Sequence, residues 1–385
     1  MRRTSRRRWL FRFLAIGIGL AVGLTCLEIF LNYYPPVALR IRGSRISLPT
    51  NSQTVITNDQ IAGIDPEITQ TRNALGFRGP DPPDDFPSHL TIVAVGGSTT
   101  ECFYLSDDKT WPTQLAAELA TEFPKLWVNN AGLDGHSTYG HLHLMQQYLT
   151  TLQPDVALFL VGLNDVGRSA PRTYDDLRRD SGFLKRAYLH CVDFSATLAL
   201  IENYRRHRKA TNLGIVHTNV DHEQLKLSAQ DPQQVSDQQR SHILENHRAE
   251  HLEPYRQRLR DLIALARTHD IEPILVTQPA LYGTGVDPET QVDLSQVRVG
   301  DVNGAVQWEI LELYNDVTRE VAGEQDVFLI DLAAQLPKNS AFYYDYHHFT
   351  NRGAEEVAKR VATELRTFLH DRFSPQHRPR TETAQ

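Results

Sequence analysis

The chain has 385 residues, of which 41% are hydrophobic and 23% are charged. This composition excludes a collagen-like, coiled-coil or wholly disordered protein, and the length suits one large domain or two ordinary ones. The formal charge is −7, although six arginines lie in residues 1–12 and leave 34 basic against 47 acidic residues elsewhere. Phosphate backbones repel such an acidic chain, and we therefore expect no nucleic-acid partner.

An apolar run follows the arginines. Between Phe13 and Leu31 the only charged residue is Glu28, and these nineteen residues span about 28 Å as a helix, enough to cross the hydrocarbon core of a membrane. Arginines that flank such a segment favour the cytoplasmic side. We therefore predict a cytoplasmic stub at 1–12 and a transmembrane signal-anchor helix at 13–34. The remaining chain would then lie on the periplasmic or extracellular side of a bacterial inner membrane.

Two other interpretations of this segment stay open. A cleaved signal peptide has the same charge pattern, although the apolar run is long and no clear small-residue cleavage site follows it. A lipid-modified Cys26 also suits the position, although the apolar residues after it fit that modification poorly. A buried helix of a soluble protein leaves the flanking arginines unexplained, so we adopt the uncleaved anchor.

The cysteines and histidines give little indication of a metal or a cofactor. Cys102 and Cys191 could pair beyond the membrane, but no cysteine has the spacing typical of zinc ligands, and buried thiols are the simpler interpretation. The segment 247–251, HRAEH, places two imidazoles one helical turn apart. It lies in a polar region without an obvious third ligand, so we expect a solvated helix face there and no metal or cofactor.

Residues 35–88 form an N-terminal extension or linker that ends in a cluster of prolines and acids at 80–87. From residue 89 onward, apolar strands alternate with amphipathic helices. The predicted strands are 90–97, 126–132, 155–165, 271–278 and 327–332, and the predicted helices are 111–123, 139–152, 252–268, 301–323 and 350–370. Strands without polar alternation, separated by helices, indicate an α/β domain at 89–370 with a five-stranded parallel sheet covered on both faces. The polar residues 371–385 are predicted to form a flexible tail.

The alternation breaks at 166–250, which is rich in Arg, Asp, Gln and His and has only weak helical periodicity near 183–204. We interpret this segment as an insertion after the third strand. Ligands bind at the carboxyl ends of the strands in such sheets, so an insertion there could cap a site. A solvated excursion without a function is the alternative.

The carboxyl ends of the strands carry the residues expected to do chemistry. Ser98 follows two glycines after the first strand and opens a helix, where backbone N–H groups favour negative charge. A serine needs a base to become a nucleophile; His348 is the candidate, with Asp345 placed to hold its far ring nitrogen. The backbone N–H of Gly135 and the amide of Asn164 could stabilise an oxyanion. Singly, each residue has a common structural role; their coincidence at one sheet edge indicates a set for acyl transfer.

These residues also carry a family resemblance. Four sequence blocks resemble, in order, those of the SGNH (GDSL-like) hydrolases: Gly97-Ser98, Gly135, Gly162-x-Asn164-Asp165 and Asp345-x-x-His348. The resemblance covers about residues 89–370, and the segment 73–79 is similar to the lead-in of membrane-anchored bacterial members. Two departures stand out: Gly97 occupies the position where the family name expects an aspartate, and Gly132 offers an alternative to Gly135 in the second block.

The resemblance implies a flavodoxin-like three-layer α/β/α sandwich. It also implies Ser98 as nucleophile, His348 as base and Asp345 in support, with an oxyanion hole made by Ser98, Gly135 and Asn164. We expect a membrane-anchored serine esterase that acts on an O-acyl ester, either an O-acetyl group on an envelope glycan or a lipid ester. An acyltransferase that uses the same site and a non-catalytic envelope- or glycan-binding module are the alternatives.

Overall fold

The structure is a computed structural model that describes residues 2–34, 41–42, 45–59, 61–169, 182–212, 227 and 234–373. The chain divides into two compact units. The first unit contains 1–49 and 177–219, and the second contains 50–176 and 220–385. The predicted tail beyond residue 373 and parts of the predicted insertion lie outside the described residues.

The secondary structure agrees with the predicted alternation of strands and helices. The strands are β1 Ile41–Arg42, β2 Arg45–Ile46, β3 Ser52–Thr57, β4 Glu67–Arg72, β5 Leu90–Gly96, β6 Leu126–Asn130, β7 Val156–Val161, β8 Glu272–Thr277, β9 Arg298–Val299, β10 Val302–Asn303 and β11 Phe328–Ile330. The α-helices are α1 Arg2–Tyr33, α2 Ser98–Glu101, α3 Trp111–Leu119, α4 Thr138–Leu144, α5 Thr150–Leu152, α6 Phe183–Phe194, α7 Ala196–Asn212, α8 Asp237–Glu250, α9 Leu252–Thr268, α10 Gly304–Glu324, α11 Leu332–Gln335 and α12 Asn351–Phe373. A π-helical turn, Met145–Leu149, joins α4 to α5 within the predicted helix at 139–152.

Five parallel strands form the central sheet, in the order β11-β8-β7-β5-β6. From β6 to β11, their order along the chain is second, first, third, fourth and fifth, which is the flavodoxin-like arrangement. Every residue of β5 and β7 is buried, and burial on both faces explains why these strands lack polar alternation. The predicted fold class is confirmed.

Helices supply the apolar side chains that cover the sheet. Leu115 of α3 and Val361 of α12 belong to one hydrophobic cluster with Ile92 of β5, and all three are fully buried. Burial of such a side chain contributes roughly 2 kcal/mol. A further layer is formed by α9, which packs against α4, α10 and β8. The helix α3 ends at Leu119, earlier than predicted, and Pro124 disfavours a helical conformation at Phe123, the predicted end.

The first unit is built around α1. Within the described residues, one helix is long and apolar enough to cross a membrane, and it is the segment Phe11–Tyr33 near the N-terminus. The helix begins at Arg2, before the predicted start at residue 13, since arginine is itself a good helix former. The weak periodicity near 183–204 corresponds to α6 and α7, which pack against each other.

The three cysteines are unpaired, so Cys102 and Cys191 do not form a disulfide. Cys102 is buried, and burial raises the pKa of its thiol to about 12, which keeps the sulfur protonated and unreactive. Cys26 and Cys191 are exposed. The interpretation of the thiols as small buried apolar groups therefore holds for Cys102 alone.

Candidate active site

Ser98 lies where β5 ends and the short helix α2 begins. Gly96 and Gly97 precede it, and both are packed too closely for a side chain: a Cβ at Gly97 would lie 2.2 Å from the side-chain nitrogen of Asn164. The residue Ser98 is itself only 9% exposed. A strand that ends in two glycines and turns at once into a helix brings the serine to the carboxyl edge of the sheet.

His348 and Asp345 lie on the loop that precedes α12. His348 Nε2 is 2.7 Å from Ser98 Oγ, and His348 Nδ1 is 2.5 Å from Asp345 Oδ2. The three side chains thus form one hydrogen-bonded chain from hydroxyl to imidazole to carboxylate. When the ring proton is on Nδ1, Nε2 can accept the proton of the hydroxyl.

The loop around Asp345 fixes the direction of its carboxylate. Oδ1 accepts hydrogen bonds from the backbone N–H groups of His347 and His348, at 2.8 and 2.7 Å, which leaves Oδ2 to face the imidazole. Burial would raise the pKa of Asp345, but the charges of His348 and His347 and the hydrogen bonds from them hold that pKa well below its usual range. The carboxylate is therefore ionised at neutral pH and can keep the proton of His348 on Nδ1.

Two other loops, which carry the predicted oxyanion donors Gly135 and Asn164, border the residue before Ser98. Gly135, after β6, has a φ of +72°, which side chains rarely allow. Asn164, after β7, donates from its side-chain nitrogen to His136 O at 3.1 Å, and the second proton of that NH2 group remains for a ligand. The Cβ position at Gly97 that meets Asn164 also lies 3.2 Å from His136 O, so both loops border the residue before Ser98.

A buried ion pair behind this edge fixes the loop that carries Asn164. The neighbouring Asp165 is 1% exposed and accepts hydrogen bonds from Arg258 Nη2 at 3.1 Å and from the Thr138 hydroxyl at 2.6 Å. Thr138 begins α4 and Arg258 lies on α9, so one carboxylate joins the end of β7 to two helices. The sequence indicated Asp165 as part of a block, but nothing in the sequence singled out its partners.

Gly132, the alternative to Gly135, has a different environment. A Cβ at Gly132 would lie 2.2 Å from the backbone nitrogen of Glu101, so this glycine allows the loop after β6 to pack against α2. Gly135 adopts the left-handed conformation, with a φ of +72°. The two glycines thus have different roles in the same loop: Gly132 allows close packing, and Gly135 allows a left-handed backbone conformation.

Comparison with known proteins identifies the family. Residues 94–356 match the GDSL-like Lipase/Acylhydrolase family. The chain belongs to this family. It is a carboxylic ester hydrolase, as the resemblance of its four sequence blocks implied.

Solved structures similar to this hydrolase share little sequence with it. The acetylxylan esterase Axe2 from Geobacillus stearothermophilus is 14% identical with a TM-score of 0.40, and the alignment covers 72% of this chain and 94% of Axe2. LAE5, an alpha/beta hydrolase enzyme from the metagenome of Lake Arreo, Spain, is 15% identical with a TM-score of 0.40, over 71% and 94% of the two chains. TesA is 14% identical with a TM-score of 0.39, over 72% and 99%. No curated protein matches the chain in sequence.

The hydrolase holds the segment after Ser98 with a buried arginine that sequence reasoning missed. Arg78 is 1% exposed, and its Nε donates to Asp107 Oδ1 at 3.0 Å. Its two Nη atoms donate, at 2.7–2.8 Å, to the backbone carbonyls of Glu101, Cys102 and Leu105. One guanidinium thus binds three backbone carbonyls at and just beyond the end of α2. The only indication of Arg78 in the sequence was its position within the segment 73–79, and nothing in the sequence pointed to a structural role for that segment.

We expect Arg78→Met to lower the free energy of unfolding by about 3 kcal/mol, because three carbonyls and Asp107 would lose a buried donor. Urea denaturation of the wild type and the variant measures the difference. Arg372→Met is the matched control: its guanidinium pairs with Glu272 at 2.9 Å, but the side chain is 62% exposed. The free energy of unfolding of Arg372→Met should fall by less than about 1 kcal/mol. Equal losses in the two variants would contradict the role given to Arg78.

Aromatic rings surround the imidazole of His348. The Tyr344 ring stacks on it with a centroid distance of 5.5 Å and an interplanar angle of 10°, and Tyr104 meets Tyr344 edge-on at 5.9 Å. These contacts restrict rotation of the imidazole. Tyr104 is partly exposed, so its ring gives this edge of the sheet an apolar surface next to the hydrogen-bonded chain.

Among the described residues, one group has the composition and closeness of metal ligands: Asp345, His347 and His348. Asp345 and His348 are hydrogen-bonded to each other, so this group belongs to the site described above. The pair His247 and His251 is not part of such a group. The predicted solvated face is only half correct there, because α8 packs against α10 and His247 Nδ1 lies 3.0 Å from a tyrosine hydroxyl of that helix.

Proposed function

We propose that this ester hydrolase works through Ser98, His348 and Asp345 as a catalytic triad. The observation that carries the proposal is the unbroken chain of hydrogen bonds at 2.7 and 2.5 Å between these three side chains. Ser98 Oγ attacks the acyl carbonyl while His348 Nε2 takes its proton, and the ionised Asp345 stabilises the imidazolium that forms. His348 then gives the proton to the leaving alcohol, and an acyl-enzyme remains on Ser98.

The second half of the reaction uses the same groups. Water attacks the acyl-enzyme while His348 accepts a proton from it, and the acid leaves as Oγ recovers its proton. In both halves the backbone N–H groups of Ser98 and Gly135 and the side-chain NH2 of Asn164 donate to the negatively charged oxygen of the tetrahedral intermediate. The tight packing at Gly97 supports this arrangement, since it holds the Asn164 amide beside Ser98 before substrate binds.

We further propose that the hydrolase is anchored in a membrane by the predicted segment 13–34 and acts on an O-acyl ester on the periplasmic or outer side. The apolar helix Phe11–Tyr33 and the flanking arginines support the anchor. An O-acetyl group on an envelope glycan and a lipid ester are the two candidate substrates, since an enzyme held at a membrane meets both. The partly exposed ring of Tyr104 could stack against either a sugar ring or an acyl chain.

Labelling of the full chain with a fluorophosphonate tests the triad, because this probe reacts with an activated serine hydroxyl. We expect the wild type to be labelled and His348→Gln to react roughly 10²–10⁴ times more slowly, since the serine loses its general base. His347→Gln is the matched control: it keeps the backbone N–H that binds Asp345, and its labelling rate should stay within a few-fold of the wild type. Loss of labelling in His347→Gln with retention in His348→Gln would overturn the assignment of the base.

A further inference from the structure

The helices α6 and α7 form a hairpin in the first unit that leaves an apolar face exposed. Phe183, Leu184 and Phe194 of α6 are 76%, 82% and 66% exposed. With Cys191 they repeat at the spacing that places them on one side of a helix. Leu189 and Val192, on the opposite side of α6, are buried, and α6 and α7 pack against each other. The hairpin therefore has one apolar face that is buried and another that is exposed.

The corner of this hairpin is fixed to the end of α1. Glu28 of α1 accepts hydrogen bonds from the first backbone N–H groups of α7, those of Ala196 and Thr197, and from the Thr197 hydroxyl. A carboxylate in this place satisfies N–H groups that have no partner within the helix. Arg42 donates to Phe194 O, the last carbonyl of α6, at 3.3 Å. The polar groups at the corner are thus bound by the apolar helix and the residues that follow it.

This attachment determines how deep the corner lies relative to the apolar span. Glu28 is five residues before Tyr33, where α1 and its apolar span end. Five residues of helix correspond to roughly 7–8 Å. Helices that lie in a membrane interface bury their apolar faces to a similar depth, about 5–10 Å. If α1 crosses a bilayer, the exposed Phe194 side chain at the corner reaches the boundary between headgroups and acyl chains.

The hairpin is also basic, although the chain as a whole is acidic. Residues 183–212 contain six Lys and Arg against two Asp and Glu, a net charge of +4, whereas the whole chain carries −7. Basic residues combined with an exposed apolar face are typical of helices that bind anionic membrane surfaces. Charge and position both favour lipid over protein as the occupant of this face.

We propose that the α6–α7 hairpin is a membrane-interface element that inserts Phe183, Leu184 and Phe194 among the lipids of the leaflet in which α1 ends. The net positive charge of the hairpin favours a leaflet that contains anionic phospholipids. This inference rests on the proposed anchoring by α1 and adds to it a second, separate contact with the bilayer. The hairpin thus lies in the membrane surface itself, and the segment inserted after the third strand acquires a lipid-binding role.

The test uses the full chain in nanodiscs and the native Cys191, which is exposed on the apolar face. Cys26→Ser leaves Cys191 as the only exposed thiol, since Cys102 is buried. A fluorophore that responds to polarity is attached to Cys191 in nanodiscs of phosphatidylcholine with phosphatidylglycerol. We expect quenching by lipids that carry a doxyl group near the top of the acyl chain. We also expect iodide quenching to be several-fold weaker than at the control site described next.

The matched control moves the probe to the exposed face of α12, in a background with Cys26→Ser and Cys191→Ser to which Thr363→Cys is added. Iodide should quench this probe and doxyl lipids should not. A second variant, Phe183→Ser with Leu184→Ser, keeps the anchor but weakens insertion, so the probe at Cys191 should gain iodide accessibility several-fold. Nanodiscs without phosphatidylglycerol should give less doxyl quenching at Cys191, because an uncharged surface does not attract the net positive charge of the hairpin.

The outcomes separate the two proposals. If the full chain does not enter nanodiscs, or is recovered without its N-terminal helix by intact mass, the anchor fails and the inference fails with it. If the chain enters and the Cys191 probe is quenched by iodide as strongly as the control probe, the anchor stands and the hairpin proposal is overturned. Protection from iodide without doxyl quenching also overturns it, because protein rather than lipid then covers the face.

Discussion

Ser98→Ala is expected to lower kcat for a short-chain aryl ester by about 10⁶-fold while leaving the stability of the hydrolase almost unchanged. The large effect follows because, in the proposed mechanism, the serine oxygen forms the covalent intermediate and alanine has no atom that can take its place. The stability effect is small because the substitution removes one hydroxyl without opening a sizeable cavity. Turnover by the purified full chain and urea denaturation measure the two quantities.

Residual turnover by Ser98→Ala could come from a contaminating esterase or from catalysis by another residue of the chain. Ser106→Ala is a useful comparison, because Ser106 Oγ accepts a hydrogen bond from the backbone of Thr69 and does not touch His348. Turnover by this variant should stay within a few-fold of the wild type. Unchanged turnover by Ser98→Ala would show that the nucleophile is another group, whatever the distance between Ser98 and His348.

Asp345→Asn is expected to lower kcat by about 10⁴-fold. An asparagine can still accept from the backbone N–H groups of His347 and His348 through its oxygen, so the loop should keep its shape. Its NH2 group would then face His348 Nδ1 as a donor and force the ring proton onto Nε2, the atom that accepts from Ser98 in the proposed mechanism. The expected defect is therefore in kcat, with KM changed far less.

The same variant has a pH-dependent effect on stability. The pKa of Asp345 is lower in the folded chain than its ordinary value of 3.8, so the ionised carboxylate binds the fold more favourably than the protonated one. Its stabilising contribution is complete above the ordinary value and is lost as the pH falls through the lower, folded-state value. The difference in free energy of unfolding between wild type and Asp345→Asn should therefore be largest near neutral pH and shrink in acid. An equal difference at pH 7 and in strong acid would contradict an ionised Asp345.

Much of the fold was predictable because its signals are local. The strands β5 and β7 are buried on both faces, and that burial requires apolar residues at every position, which a single sequence displays directly. The candidate site was predictable for a similar reason. Strand ends in a parallel sheet meet at one edge, so Ser98, Asn164 and His348 could be placed together without knowledge of the loops between them.

The supporting residues were not predictable, since their partners are distant in sequence and have no characteristic spacing. Arg258 is 93 residues from Asp165, and Arg78 is 27 residues from Leu105. An arginine in a sequence is typical of a solvated surface, and only packing removes it from water. The sequence likewise presented Glu28 as one charge in an apolar run, whereas the structure makes it the acceptor for the start of α7.

The sequence by itself determined the class of sheet, the apolar N-terminal helix and the residue types of the candidate acyl-transfer site, because each depends on periodicity, length or a short motif. Tertiary structure alone decided the distances within the site, the buried arginines that hold its loops and the exposed face of the α6–α7 hairpin. The physical reason is that hydrogen bonds and burial act between groups that are close in space. Ser98 and His348 are 250 residues apart in the sequence, and only folding brings Ser98 Oγ to 2.7 Å from His348 Nε2.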